Sequence, residues 1–353
     1  MTTIVDKTLI IRADASNQIG AGHVLRSLAL AQAWKDGGGH AIFVMAMESS
    51  MIEARLKSEG MEVAHLSTQG GSADDAIQTI RLARKKGAIW VVLDGYQFGV
   101  DYHRIIKDAG LRLLFIDDNG LSQAYYADIV LNQNLHAHQG LYLNIEPYAL
   151  ILLGNRYVLL RREFLKWRGW RRQIPEVAHK VLVTLGGGDQ DNMTLKVINA
   201  LKKVDISDLD VKIVVGPSNT HIETLQKASL FAPCSMRILH NVPDMPELMA
   251  WADVAISAGG STCWELAFMG LPNVTLVLAE NQRDIAEGLN KAGVAVNLGW
   301  HDQVSTDELV VALGSLLRSF EQRRHMSQLG TSLVDGMGVD RVAQELRLQI
   351  GME

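Results

Sequence analysis

His23 lies in the run Arg12-Ala-Asp14-Ala-Ser16-Asn-Gln-Ile-Gly20-Ala-Gly22-His23-Val-Leu-Arg26, a glycine-bearing loop that leads into a helical pattern. Gly20 and Gly22 permit close backbone approach, and a helix opening near His23 directs free N–H groups into the loop. A histidine on the first turn of such a helix can serve as a general base near neutral pH. The plainer reading is a histidine that caps or packs at the turn. The glycines and polar residues around His23 favour the base. A dinucleotide fingerprint fails here, because its third glycine position is Leu25 and five residues separate Asp14 from Gly20. Only Glu48, near the end of the second expected strand, speaks for it.

A second group of residues suits a nucleotide. Ala258-Gly259-Gly260-Ser261-Thr262-Cys263-Trp264-Glu265 follows an apolar run and opens a helix. Small residues and hydroxyls at a helix N-terminus suit a diphosphate without a metal ion, and Glu265 on the first turn could accept hydrogen bonds from two ribose hydroxyls. The alternative is a tight turn with a favourable first-turn charge. Thr184-Leu-Gly186-Gly187-Gly188-Asp189 offers backbone for a ligand at Gly187, and Ala279-Glu280-Asn281-Gln282 places two amides at a helix start.

The elements that must carry these loops alternate strand and helix. Strands are expected at Thr8–Asp14, Ala41–Met47, Glu62–Leu66, Ile89–Leu93, Arg112–Ile116, Ile129–Leu131 and Leu150–Leu153. Helices are expected at Val24–Trp34, Ile52–Glu59, Ala73–Lys86 and Tyr102–Ala109. The rhythm breaks at 161–179, a basic stretch with Arg161, Arg162, Arg168, Arg171, Arg172, Trp167 and Trp170, read as a linker whose arginines are solvated. A second series then starts, with strands at Val181–Thr184, Lys212–Val215, Arg237–Leu239, Val254–Ser257, Val274–Leu278 and Ala295–Leu298. Helical pattern runs from Thr306 to the end. The domains are thus 1–160, a linker 161–179, 180–330, and a C-terminal helix in 331–353 that packs back on the first domain. Repeated units of this length give parallel sheets with ligands outside the carboxyl ends of the strands. The fold class is α/β, two Rossmann-like domains whose sheets face across a cleft.

Composition narrows the function. Of 353 residues, 48% are hydrophobic and 21% charged, as in a globular protein of two domains. A formal net charge of −5 offers no field for nucleic acid, so none is expected as a partner. Two cysteines, Cys234 and Cys263, make neither a disulfide framework nor a zinc signature. The Leu9–Ile11 segment reads as strand instead of a signal core, and no apolar run reaches membrane-spanning length. A cytoplasmic protein without stable membrane insertion is expected, its oligomeric state open.

The motif Arg12-x-Asp14-Ala-Ser16-x-x-Ile19-Gly20-x-Gly22-His23-x-x-Arg26 resembles the opening of the pseudaminic acid pathway hydrolases, enzymes that cleave UDP-linked 2,4-diacetamido-2,4,6-trideoxy-altrose. Leu93-Asp94-Gly-Tyr96, Ile116-Asp117-Asp118, Leu131-Asn132-Gln-Asn134 and Leu160-Arg-Arg-Glu163-Phe164 follow in that family's order, as do Gly186–Asp189, Ser257–Glu265 and Asn281-Gln282. The second-domain motifs are similar also to the glycosyltransferase that makes lipid II. The resemblance implies a glycosyltransferase-B architecture, His23 activating water, and Tyr96 and Asn281 near the reacting carbon. It also implies Arg12, Asp14, Gly20, Gly22, Asp94, Gly187, Gly259, Gly260, Ser261, Thr262, Glu265 and Gln282 on the substrate side. The chain departs from compact members in its length and in Trp264 before Glu265, which bears on the nucleotide contacts.

The chemistry expected is loss of UDP as a stabilised anion with one base, no metal and no cofactor. Water and UDP on opposite sides of the sugar would invert the anomeric carbon. Asp94, Asp117 and Asp118 are rival bases, and Asp117-Asp118 a metal pair only if adjacent carboxylates could converge. The alternatives are a UDP-sugar glycosyltransferase of the same fold and a non-catalytic nucleotide-sugar binding protein.

Overall fold

The computed structural model describes residues 4–16, 19–216, 219–240, 242 and 244–350. Asn17 and Gln18 of the first motif, and residues 351–353 of the expected C-terminal helix, lie outside the described residues. The chain divides into two compact units, 1–162 with 336–353, and 163–335.

In the first unit the order is β1 (Thr8–Ala13), α1 (Gly22–Asp36), β2 (His40–Met45), α2 (Ser50–Ser58) and β3 (Glu62–His65). Then come α3 (Ala73–Lys85), β4 (Ala88–Asp94), α4 (Val100–Asp108), β5 (Arg112–Ile116), β6 (Ile129–Asn132) and β7 (Leu150–Leu153). These strands form one parallel sheet in the order β3-β2-β1-β4-β5-β6-β7. All six residues of β1 are buried, as a strand covered on both faces requires, and its apolar run Leu9-Ile10-Ile11 shows why it reads so clearly. The strand order reverses direction between β1 and β4, so the loops leaving those two strands diverge and leave a crevice at their carboxyl ends. His23 follows β1, and Asp94 ends β4.

The short helix α5 (Arg162–Leu165) leads into the second unit, followed by β8 (Lys180–Thr184), α6 (Met193–Leu201), β9 (Asp210–Val215), α7 (Ile222–Leu230) and β10 (Ser235–His240). It continues with α8 (Met245–Trp251), β11 (Val254–Ala258), α9 (Thr262–Phe268), β12 (Asn273–Val277), α10 (Arg283–Lys291) and β13 (Val296–Trp300). Its sheet is again parallel, β10-β9-β8-β11-β12-β13, with the reversal between β8 and β11. Two helices, α11 (Thr306–Arg318) and α12 (Phe320–Leu333), complete it. Ser305 and Glu308 form a reciprocal capping box at the start of α11, which fixes where the helix begins.

The basic stretch expected as a solvated linker belongs to the second unit from Glu163 onward. Arg172 explains part of this. Its guanidinium donates to the carbonyls of Met249 (2.6 Å), Gly270 (3.0 Å) and Ala252, satisfying the C-terminal ends of α8 and α9. The last helix, α13 (Gly338–Ile350), is part of the first unit and packs on α1 with Val339, Val342, Ala343 and Leu346 buried. Among the described residues no helix is long and apolar enough to cross a membrane.

Candidate active site

The loop after β1 is drawn tight before α1 begins. Gly20 donates its N–H to the Ser16 carbonyl at 2.8 Å and takes a φ of 74°, which a side chain would strain. The helix then starts at Gly22 with no side-chain cap, and His23 falls on its first turn. On a helix, positions i, i+3 and i+4 share a face. His23, Arg26 and Ser27 therefore all point to the end of β4.

There they meet Asp94, whose side chain is wholly buried. His23 Nδ1 lies 2.7 Å from Asp94 Oδ1, Arg26 donates Nε and Nη2 at 2.8 and 2.7 Å, and Ser27 donates its hydroxyl at 2.8 Å. Burial alone would raise the Asp94 pKa, but the Arg26 charge and these bonds hold it well below the usual carboxylate range. A carboxylate can only accept, so Nδ1 of His23 carries the hydrogen and Nε2 is the nitrogen with the lone pair. Asp94 thus fixes both the tautomer and the direction of the ring. Tyr96, half exposed two residues on, stands edge-on to His23 with ring centroids 4.9 Å apart.

Asp118, just past β5, closes the cluster. It accepts from Arg26 Nη1 at 2.7 Å, from the Tyr96 hydroxyl at 3.1 Å and from the Asn134 amide at 3.0 Å. Its neighbour Asp117 turns elsewhere, to the Tyr125 hydroxyl at 2.8 Å and the N–H groups of Asn119 and Gly120, both at 3.1 Å. The adjacent carboxylates diverge. Among the described residues no group of three His, Cys, Asp or Glu side chains is placed to hold a metal ion.

Arg12, Asp14 and Asp94, expected on the substrate side, are buried with their polar atoms engaged inside the unit. Arg12 pairs with Asp14 and Asp75, each at 2.8 Å. Asp14 also accepts from the Ala46 N–H at 2.7 Å and the Gln97 amide at 3.1 Å. Asp75 takes the Tyr102 hydroxyl at 2.9 Å and the Gly71 N–H at 2.8 Å. This second network ties the loops after β1, β2, β3 and β4 together beside the histidine. Gly22 is exposed, and a side chain at Gly20 would meet nothing within 4 Å.

In the second unit the sequence-predicted residues fall at the carboxyl ends of β8, β11 and β12. Asp189 caps α6, accepting from Met193 N–H at 2.7 Å and Thr194 N–H at 2.9 Å, so that helix start is already satisfied by a carboxylate. Gly187 is partly exposed, and its carbonyl lies so close to Gly216 that a side chain at 216 would collide with it. The β11 loop is different. Its helix α9 has no side-chain cap at Ser261, and Gly260, Ser261, Thr262 and Glu265 are partly exposed while Gly259 is buried. A Cβ at Gly259 would stand 2.9 Å from the Gln282 carbonyl, so only glycine lets this loop close on the next. Gln282 in turn accepts the Leu278 N–H at 3.0 Å, holding exposed Asn281 on the turn after β12. Cys263 beneath the loop is buried, which pushes its thiol up to about 12 and keeps it unreactive.

The structure thus brings His23, Asp94 and Tyr96 together in one unit, and Gly259 to Thr262, Glu265, Asn281 and Gln282 on neighbouring loops in the other. Sequence reasoning left Arg26 and Ser27 out of the site and weighed Asp118 only as a rival base or as half of a metal pair. The spacing of Arg26 and Ser27 from His23 on one helix was the available signal.

Residues 180–335 match the glycosyltransferase family 28 C-terminal domain. The chain is 26% identical over 338 residues to the spore coat polysaccharide biosynthesis protein SpsG of Bacillus subtilis, covering 96% of this chain and 97% of that one. It is 25% identical over 290 residues to the UDP-2,4-diacetamido-2,4,6-trideoxy-beta-L-altropyranose hydrolase of Campylobacter jejuni, covering 82% and 98%. A protein of Methanocaldococcus jannaschii is 27% identical over 282 residues, and the chain spans only 57% of its length. The crystal structure of Acinetobacter baumannii MurG superposes with a TM-score of 0.68 at 16% identity, covering 97% of this chain and 99% of that one. That likeness establishes the fold as glycosyltransferase-B, as the sequence led us to expect.

Proposed function

We propose that this chain, which belongs to the family of the UDP-2,4-diacetamido-2,4,6-trideoxy-beta-L-altropyranose hydrolases, hydrolyses a UDP-linked 2,4-diacetamido-2,4,6-trideoxyhexose to free sugar and UDP. The observation that carries the reading is the 2.7 Å contact between His23 Nδ1 and buried Asp94, which presents Nε2 as a base. Nε2 takes a proton from water as its oxygen bonds to the anomeric carbon, the bond from that carbon to the phosphate oxygen breaks, and UDP leaves with the electron pair. A diphosphate needs no protonation to depart, so one base suffices where ordinary glycosidases need two carboxyl groups. Asp94 and Asp118 are both committed to Arg26, which makes neither a nucleophile for a double displacement, and single displacement inverts the carbon. Tyr96, edge-on to the base, meets the reacting sugar in the first unit. The loop Gly259 to Thr262 takes the diphosphate through backbone and hydroxyl donors, and Glu265 takes the ribose.

Purified protein incubated with UDP-sugars in ¹⁸O-labelled water and excess EDTA tests this. UDP should be released with no acceptor present, with the label in the sugar. Label in the nucleotide phosphate would place the water on phosphorus, and a restored requirement for Mg²⁺ would bring in a metal. The family 28 match favours one second reading, a transferase in which the same base deprotonates an acceptor hydroxyl. UDP release only on adding an acceptor would establish it.

A further inference from the structure

We propose that Asp118 is a positioning residue for the base: by sharing Arg26 with Asp94, it leaves one negative charge in the buried cluster unbalanced until His23 takes a proton. The inference rests on the reading of His23 as the base. Asp94 is 0% exposed, and Arg26 and Asp118 are each 7% exposed in their side chains. Burial alone would raise the pKa of both carboxyls, but the Arg26 charge holds each below the usual carboxylate range, so both are ionised at neutral pH. Two carboxylates and one guanidinium sum to one negative charge while the imidazole is neutral. The sum becomes zero when His23 is protonated.

Among the described residues, the groups that face His23 come from three places in the unit. Arg26 is on its own helix, Asp94 ends β4 with Tyr96 just beyond, and Asp118 past β5 acts on it through charge. Behind Asp118, His136 lies with Nε2 2.9 Å from the Asp118 carbonyl, and Asn134 donates to its carboxylate at 3.0 Å. Arg26 needs no second carboxylate to be held, since Asp94 alone engages its Nε and Nη2. What Asp118 adds is charge. The proton that leaves water therefore enters a cluster already one unit negative, and the buried site passes to neutrality as hydroxide character develops on the water. A charge at this range in a partly desolvated site alters a rate on the order of 10- to 100-fold.

The test compares wild type with Asp118→Asn, Asp118→Ala, Asp118→Glu and His23→Asn. Asparagine keeps the shape and, with its amide oxygen at the Oδ1 position, still accepts from Arg26 and Asn134, while its NH2 can donate to the Tyr96 hydroxyl oxygen in place of accepting from it. The expected result for Asp118→Asn is a kcat lowered about 10- to 100-fold, with KM changed by less than about threefold and the acid limb of kcat/KM moved to lower pH. Asp118→Glu should restore the limb. If Asp118 served only to shape the loop, Asp118→Asn would keep wild-type kcat, or would lower it with the limb in place; either result overturns the proposal. A readout that needs no turnover is the ring-proton resonance of His23, assigned by its absence in His23→Asn. Its titration midpoint should be lower in Asp118→Asn than in wild type, and equal midpoints would overturn the proposal even if kinetics were disturbed by misfolding. Full activity in His23→Asn would instead remove the reading of the base on which this rests.

Discussion

His23 and His103 are both buried in the first unit, and what lies against each ring decides its behaviour. His23 has a carboxylate at 2.7 Å, whereas the His103 ring lies 4.4 Å from that of Phe115. Burial lowers the His103 pKa to about 4. Between that value and the ~6.5 of an unfolded histidine, the unfolded chain holds a proton that the folded chain refuses. Stability is then complete above about pH 6.5 and falls as pH drops through the window, by about 2 kcal/mol at pH 5. His103→Phe should flatten urea-unfolding stability between pH 7 and pH 5; an unchanged slope would contradict the assignment. At this scale the sequence shows His23 plainly, because glycines and a helix start surround it. It cannot rank Asp14, Asp94, Asp117 and Asp118, which all end or follow strands. Only the pairing of β1 with β4 sets Asp94, 71 positions away, against the imidazole.

Strands were the most legible elements, because a parallel sheet covered on both faces demands unbroken apolar runs such as Val91-Val92-Leu93. Helix ends were legible where a cap fixes them, as at Ser305. The fate of the basic stretch was not, since a charged side chain looks the same in sequence whether it is solvated or caps a helix. Arg172 caps two. Arg172→Met leaves the carbonyls of Met249, Ala252 and Gly270 without that donor, and should cost the second unit about 3 kcal/mol in chemical denaturation. A loss below about 0.5 kcal/mol, the size of an ordinary surface change, would show the arginine to be dispensable. Loop chemistry at the end of β11 predicts a different signature. Glu265→Ala should weaken UDP and UMP by a similar factor, about 10- to 100-fold for a charged hydrogen bond of 1.5–3 kcal/mol, as read by calorimetry. Unchanged nucleotide affinity would exclude the ribose contact.

The chain as a whole returns at Gly336 to the unit in which it began. From sequence the stretch after Thr306 was helical pattern with a separate C-terminal helix in 331–353; it divides into three helices, with a break at Ser319 that no proline or glycine announces and a second where Gly336 takes a φ of 73°. Ending the chain after Asp335 would remove Val339, Val342, Ala343 and Leu346 from the face they cover on α1. That should lower the stability of the first unit by about 5 kcal/mol, while leaving the second unit's melting transition in place. Loss of both transitions together would contradict two separately cored units. The measurement that bears most directly on the central claim is acceptor-free UDP release by His23→Asn, set beside its affinity for UDP. Removal of a general base predicts a kcat at least about 10²-fold lower with UDP affinity within about threefold of wild type. Turnover near the wild-type rate would contradict the claim that the histidine held by Asp94 activates the water.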